Sequence, residues 1–217
     1  MSKGLWVSAA VLLALTIWFQ LIVNQPLAQL EGGLRIIDSL PSVEKQLDKY
    51  KGDLGEDYAG YRGHIYRVLT YAIHFLDGDT SHLDLIGLAL VYHDLAVWSD
   101  KNLAYIEPSV ARARQDLKDS LTEKELALVA DIIYWHHSLK SYEGEQSSVI
   151  NAVIKADLID FSRGLITLGM PRRHIAKLSQ LVPNNGFHKA LMEVGFRYHG
   201  WNVFRIVGDL SSIFKSQ

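Results

Sequence analysis

The sequence predicts an all-α fold, and two features of its patterning support this prediction. Beyond residue 57, apolar residues recur at helical spacing, and no run shows the sustained alternation expected of a half-buried strand. Helix start signals bound several of these runs, among them Thr122 and Glu125, which match a capping box. We therefore expect a helical bundle preceded by an N-terminal hydrophobic helix.

Residues 1–25 form the first predicted unit, a hydrophobic segment. Residues 5–23 contain no charged side chain, and as a helix they would span about 28 Å, close to the hydrocarbon core of a bilayer. We predict a single-pass membrane anchor, with its side of the membrane unassigned, and hence a membrane-associated protein. A core helix of a cytoplasmic protein and a cleaved signal peptide are the alternatives.

Residues 26–57 form the second unit, a connector that Pro41, Gly52 and Gly55 punctuate and that contains one or two short helices. Residues 58–217 form the third, a helical domain. Its helices are predicted over 58–76, 81–98 with Ser81 as N-cap, 108–119, 122–139, 147–163, 171–181 and 187–198. The loops 99–107, 139–146 and 182–187 are where we expect substrate specificity to lie.

Composition excludes some classes of partner and of metal ligand. The chain of 217 residues has a formal net charge of −2, which does not favour a nucleic-acid polymer as partner, because such partners usually require a strong basic excess. It has no cysteine. Any bound metal must therefore use His, Asp, Glu or water as ligands.

The segment ALVYHDLAVW, residues 89–98, places a histidine beside an aspartate in an apolar helix. A helix that is apolar all round is buried, and a buried carboxylate costs many kcal/mol unless a counter-charge pairs with it. A metal ion would remove this cost for Asp94 and would bind His93 at the same time. A hydrogen-bonded His–Asp pair without a metal is the alternative.

Three other apolar helices carry residues of the same kind. His64 lies in YRGHIYRVLTYAIHF, and His136 and His137 lie near the end of IIYWHHSL. Asp157 lies in VIKADLIDF, with Asp160 about one turn later as a rival for the same role. Helical bundles build metal sites in this way, from inward-facing side chains of several helices.

The ordered set His64, His93–Asp94 and Asp157 resembles the H…HD…D motif of the HD superfamily of metal-dependent phosphohydrolases. The spacings of 29 residues between the histidines and 63 between the aspartates are ordinary for that family, and the resemblance covers about residues 58–163. It implies an HD-type helical bundle with these four residues as metal ligands. The implied cofactor is a divalent transition metal ion (Mn, Co, Ni, Zn or Fe), with one ion per chain favoured and two as the alternative.

The resemblance also implies metal-assisted hydrolysis, in which Asp94 orients the attacking water. His136 and His137 are candidates for protonating the leaving oxygen, because imidazole titrates near neutral pH. Some relatives with two or three metals use a histidine pair at this place together with a further histidine between the HD dipeptide and the pair, and this chain has no histidine between Asp94 and His136. Arg67 and Lys155 are candidates for binding a phosphate oxygen, with surface or ion-pair roles as the alternative.

We therefore predict an enzyme, a hydrolase of the EC 3.1 type, acting on a small-molecule phosphate mono- or diester. Two other classes stay open. One is a di-iron oxygenase of the HD type, although Val97 stands where some relatives carry Lys or Glu. The other is a non-catalytic module that binds a metal or a nucleotide at the membrane.

Overall fold

The computed structural model describes residues 34–101 and 103–199, and all the regular elements in these ranges are helical. The all-α prediction is therefore confirmed for this part of the chain. The predicted anchor at residues 5–23 lies outside it. The helices are α1 (Pro41–Leu47), α2 (Lys51–Leu54), α3 (Tyr58–Phe75), α4 (Leu83–Tyr92), α5 (Ala96–Ser99), α6 (Ile106–Leu117), α7 (Glu123–Trp135), α8 (Ser147–Phe161), α9 (Arg172–Leu181) and α10 (Phe187–His199), with 3₁₀ turns at Asp48–Tyr50 and Gly55–Asp57.

Two predicted helix starts have different outcomes. The capping box before α7 is confirmed, because Glu125 N donates to Thr122 Oγ1 (3.4 Å) and Thr122 N donates to Glu125 Oε2 (2.7 Å). The prediction of Ser81 as an N-cap is wrong, because α4 begins at Leu83. The Ser81 hydroxyl instead donates to Asp79 Oδ2 at 3.0 Å, so it closes the preceding turn.

Two helices end earlier than their apolar pattern predicts. The predicted helix 81–98 is broken, because α4 ends at Tyr92 and α5 begins only at Ala96. In between, the backbone makes a tighter i→i−3 bond from Leu95 N to Tyr92 O at 3.0 Å. Helix α7 likewise ends at Trp135, short of the predicted residue 139. A histidine immediately follows the last residue of α4 and of α7, and both histidines prove to be part of the site.

Helix α3 lies at the centre of the bundle, where it packs against α8 and α4. Two of its glycines permit a close approach by the segment 182–187. A Cβ atom at Gly63 would lie 2.9 Å from Pro183 O, and one at Gly60 would lie 3.0 Å from both Asn185 O and Phe187 N. Any side chain at these positions would push this segment away from α3, and the segment carries groups that contact the site.

The connector predicted at residues 26–57 contributes to the same core as the later helices. Val43, Leu47, Tyr50 and Leu54 are all buried in it. Helix α1 packs against α4, which brings this part of the chain against the helix that precedes the HD dipeptide. Among the helices of residues 34–101 and 103–199, none has both the length and the apolar character needed to cross a membrane.

Candidate metal centre

His64 lies in the middle of α3, beside two aspartates on the neighbouring helix α8. Its Nδ1 lies 2.7 Å from Asp160 Oδ2 and its Nε2 lies 3.3 Å from Asp157 Oδ1. Arg67, about one turn along α3, donates to both oxygens of Asp160, from Nε at 2.6 Å and from Nη2 at 2.9 Å. Asp160 is thus engaged by His64 and Arg67, and Asp157 is the carboxylate that faces the cluster.

His93 and Asp94 occupy the turn that breaks the helix after α4. His93 Nδ1 donates to Leu90 O at 2.7 Å, because the last carbonyls of a helix lack the amide partners of its interior. The other ring nitrogen, Nε2, points inward, 3.0 Å from His64 Nε2 and 3.2 Å from Asp94 Oδ2. His64 and His93 form the first histidine pair.

His136 follows the last residue of α7 and repeats this arrangement. Its Nδ1 donates to Ile133 O at 2.6 Å, and its Nε2 lies 3.4 Å from Asp94 Oδ1. His137 Nδ1 lies 3.5 Å from Asp157 Oδ2, and His137 Nε2 lies 3.9 Å from Asp94 Oδ1. His136 and His137 form the second histidine pair.

The two inward-facing carboxylates lie between the two histidine pairs. Asp94 directs Oδ2 to the first pair and Oδ1 to the second. Asp157 directs Oδ1 to the first pair and Oδ2 to the second. Each carboxylate thus has one oxygen for each pair, an arrangement that can serve two cations that share both carboxylates.

The cluster is buried, and burial opposes the charges that its members carry. Burial alone would lower the pKa of His64, but the carboxylates of Asp157 and Asp160 outweigh this effect and raise the pKa to about 9. Burial alone would raise the pKa of Asp94, but the neighbouring imidazoles, His93 first among them, hold that pKa well below its usual range. The cluster therefore keeps its carboxylates ionised and attracts a positive charge into its centre.

The nitrogens and oxygens at the centre fit a metal ion. His64 and His93 each donate from Nδ1 to an outer acceptor, so their Nε2 lone pairs face each other across 3.0 Å and need a proton or a metal ion between them. Asp94 Oδ1 and His136 Nε2 are buried without a hydrogen-bond partner. Two ligand atoms that each lie about 2.1 Å from one ion are about 3.0 to 3.4 Å apart, depending on geometry.

Two groups of side chains can therefore each hold a metal ion, since their ligand atoms lie within 4.8 Å of one another. One group is His64, His93 and Asp94, and the other is Asp94, His136 and His137. Asp157 adds an oxygen beside both histidine pairs. The ligand atoms are imidazole nitrogens and carboxylate oxygens, a set that suits several first-row divalent ions.

The two basic residues predicted to bind phosphate lie in different surroundings, Arg67 buried behind His64 and Lys155 on the surface. Arg67 is 2% exposed, and besides Asp160 it donates to Val182 O and Pro183 O. It therefore supports His64 from behind and faces away from solvent. Lys155 lies on the exposed side of α8, with its ammonium 5.6 Å from the centroid of the Phe75 ring, and it has no contact with the cluster.

Two further side chains contact the cluster and were not predicted. Tyr105 immediately precedes α6, and its hydroxyl lies 2.6 Å from His137 Nε2. The Phe187 ring stacks on the His64 ring with centroids 4.1 Å apart. Both lie within or beside loops that were predicted to carry specificity, but a single aromatic residue in a loop gives no signal of such a contact.

His137 is the most accessible member of the cluster, with a side chain that is 21% exposed, whereas the other ligand candidates are nearly inaccessible. Burial and then the neighbouring imidazole of His136 lower the pKa of His137 to about 4, so this ring is neutral at physiological pH. The structure thus brings together all four residues of the H…HD…D set, with the second histidine pair beside them.

Comparisons with protein-family models, with curated protein sequences and with solved structures find no match to this chain.

Proposed function

We propose that this protein is a metal-dependent hydrolase of phosphate esters with an HD-type helical bundle. One observation carries the proposal: Asp94 and Asp157 each present both oxygens to histidine nitrogens, and for His64, His93 and His136 an outer acceptor holds the proton of the other ring nitrogen. A site of this kind is built for divalent cations, and its residues follow the order H…HD…D along the chain. This order is the basis of the resemblance to the HD superfamily.

A divalent ion bound there would supply a water nucleophile at neutral pH and polarise a phosphoryl oxygen. The residues of the chain do the rest. His64, His93, Asp94 and Asp157 would hold the first ion, and Asp94 would orient the attacking water through its position between the two histidine pairs. Because the site is nearly closed, the substrate would enter on the side of His137, its one partly exposed member.

The charge balance of the site supports a second ion. Asp160 is neutralised by Arg67, so the cluster carries the two negative charges of Asp94 and Asp157. One divalent ion cancels these charges, and a second leaves the site with two positive charges that match a phosphate monoester dianion. In the described part of the chain, the cationic groups within 4.0 Å of Asp94 and Asp157 are imidazoles, so a second ion is the natural source of that charge.

Hence we assign His136 and His137 to a second ion rather than to proton donation. His136 Nε2 is buried and faces Asp94 Oδ1, so it has no path to a leaving oxygen. His137 has a neutral ring at physiological pH, which makes it a ligand and a poor general acid. One ion at the first histidine pair would bind the substrate weakly, and the second would complete the site.

The test is hydrolysis of a panel of phosphomonoesters and phosphodiesters by the full-length chain, purified in mild detergent, with Mn²⁺, Co²⁺, Ni²⁺ or Zn²⁺. We expect turnover with at least one metal, and its loss in His93→Ala, because this variant lacks a ligand of the ion that would activate the water. His82→Ala is the matched control, because His82 lies outside the cluster and contacts Ser81. Equal inactivity of the wild type and His93→Ala with every metal and ester would refute the proposal.

A second candidate function is favoured by the same pair of sites. Two irons that share Asp94 and Asp157 would suit an HD-type oxygenase, which uses O₂ to cleave C–C or C–P bonds. Iron-loaded protein that gives a mixed-valent EPR signal and consumes O₂ with a substrate would favour the oxygenase. Redox-inactive ions that support turnover of a phosphate ester would favour the hydrolase.

We also propose that residues 5–23 attach the protein to a membrane, on the basis of the uncharged sequence alone. The native chain should then sediment with membranes and resist extraction at alkaline pH. Its recovery in the soluble fraction without detergent would contradict the proposal.

A further inference from the structure

All four histidines of the cluster share one pattern of contacts. One ring nitrogen of each faces a carboxylate oxygen of Asp94 or Asp157, and the other contacts a further group. In His137 the nitrogen that contacts this further group, Nε2, also lies 3.9 Å from Asp94 Oδ1. The further groups are Asp160 for His64, Leu90 O for His93, Ile133 O for His136 and the Tyr105 hydroxyl for His137. Histidines that bind metals nearly always have such an outer partner, which selects the nitrogen that carries the proton.

His137 differs from the others because its outer partner is a hydroxyl, which can donate or accept. If Nε2 carries the proton, it donates to the Tyr105 oxygen at 2.6 Å, and the lone pair of Nδ1 points at Asp157 Oδ2, 3.5 Å away. If Tyr105 donates instead, Nε2 is used up as an acceptor and Nδ1–H points at Asp157. The first arrangement makes His137 a metal ligand and the second removes it from metal binding.

We propose that Tyr105 is a positioning residue of the second metal site, which accepts the Nε2 proton of His137 and so makes Nδ1 the ligand atom. This inference rests on the proposed function, since it concerns the second of the two ions. That ion would then be held by His137 Nδ1, Asp157 Oδ2, His136 Nε2 and Asp94 Oδ1. Asp157 would contribute an oxygen to each ion, as Asp94 would, because its other oxygen lies 3.3 Å from His64 Nε2.

The burial of the atoms supports this arrangement. Asp94 Oδ1 and His136 Nε2 are buried and lie 3.4 Å apart without hydrogen-bond geometry, a separation that suits two ligands of one ion. Tyr105 is 6% exposed, which keeps water from replacing its hydroxyl as the outer partner. The residue comes from the loop that precedes α6, so the position of that loop controls the tautomer of His137.

The experiment is a titration of the metal-free full-length protein with Mn²⁺, in which the two binding steps are resolved by equilibrium dialysis and elemental analysis. We expect Tyr105→Phe to weaken the second step about tenfold to a hundredfold, the range for outer partners of metal ligands, and to leave the first step unchanged. An unchanged first step also shows that the variant is folded. Tyr142→Phe is the matched control, because Tyr142 packs on Trp135 away from the cluster.

A double-mutant cycle tests whether Tyr105 acts through His137. In a His137→Ala background, Tyr105→Phe should have no further effect on either step, because the ring that it positions is gone. An unchanged second step in Tyr105→Phe would overturn the inference. A tighter second step would also overturn it, because it would show that Tyr105 donates to His137 and competes with the ion. A wild type that takes up one Mn²⁺ would overturn it while leaving the proposed hydrolase intact, and a wild type that takes up none would refute both.

Discussion

The affinity of the first metal site should depend steeply on pH, because a proton on His64 competes with the ion. His64 Nε2 lies 3.3 Å from Asp157 Oδ1, and Nδ1 lies 2.7 Å from Asp160 Oδ2. Burial opposes the charge on this ring, but the two carboxylates outweigh burial and raise the pKa to about 9 in the metal-free protein. A metal ion needs the Nε2 lone pair, so it must displace one proton.

The size of the effect follows from the pKa. At pH 7, two units below the pKa, about one molecule in a hundred has a neutral His64. The apparent association constant should therefore rise about tenfold per pH unit from pH 6 to pH 8, which is about 1.4 kcal/mol per unit. Because His64 is protonated over this whole range, binding of the first ion should release about one proton from it.

The assay is isothermal calorimetry with Mn²⁺ in buffers of different ionisation enthalpy, which reports the affinity and the number of protons released. Asp157→Ala is the informative variant, because the loss of this carboxylate lowers the pKa of His64. The variant should bind the ion more weakly, and its affinity should depend less on pH. An association constant that changes less than twofold between pH 6 and pH 8 would refute the reasoning, since it would mean that His64 is already neutral.

The same pKa makes a prediction about the stability of the metal-free protein. The folded-state pKa of His64, about 9, lies above its unfolded value of 6.5, so the group stabilises the fold fully below pH 6.5 and this contribution is lost as the pH rises through 9. The contribution at pH 6 is on the order of 3 kcal/mol. Urea unfolding of the chelated protein at pH 6 and pH 10 measures it, and equal stability at both would contradict the assignment.

Three substitutions test other features of the structure. Arg67→Met should lower the free energy of unfolding by about 3 kcal/mol, because it removes the guanidinium that pairs with the buried Asp160 carboxylate. Arg112→Met, in a partly exposed pair with Asp100, should cost about 1 kcal/mol or less. Similar losses in the two variants would contradict this. Gly63→Ala should cost about 1–3 kcal/mol, because its Cβ would lie 2.9 Å from a backbone oxygen, and Gly52→Ala, with open space around it, should be neutral or stabilising in the same urea assay. Lys155→Ala should keep the metal content and turnover of the wild type, and a loss of either would refute its placement away from the cluster.

The contrast between Asp157 and Asp160 illustrates where sequence reasoning stops. Both lie in one apolar stretch, three residues apart, and therefore on the same face of a helix. Their roles differ because α8 crosses α3 with Asp160 level with Arg67 and Asp157 level with the cluster. The crossing of two helices depends on packing all along their length, so no local pattern could separate the two aspartates.

The end of helix α4 before His93 is also a feature that the local apolar pattern does not reveal. Apolar periodicity continues past this residue and predicts an unbroken helix to Trp98, but α4 ends at Tyr92. The early end leaves helix carbonyls that accept the Nδ1 proton of His93, and it turns Nε2 toward the cluster. His136 uses the end of α7 in the same way, and only the observed helix ends reveal this.

By itself, the sequence determined that the described chain is all-helical and that Thr122 caps a helix, because helical periodicity and capping are properties of short stretches. The cost of a buried charge marked Asp94 and Asp157 as candidates for a metal site, and the resemblance to the H…HD…D motif joined them with His64 and His93. Tertiary structure decided which oxygen faces which nitrogen, that Arg67 pairs with Asp160, and that Tyr105 contacts His137. The last two of these contacts join residues 93 and 32 positions apart, and all of them depend on how the helices cross and where each one ends.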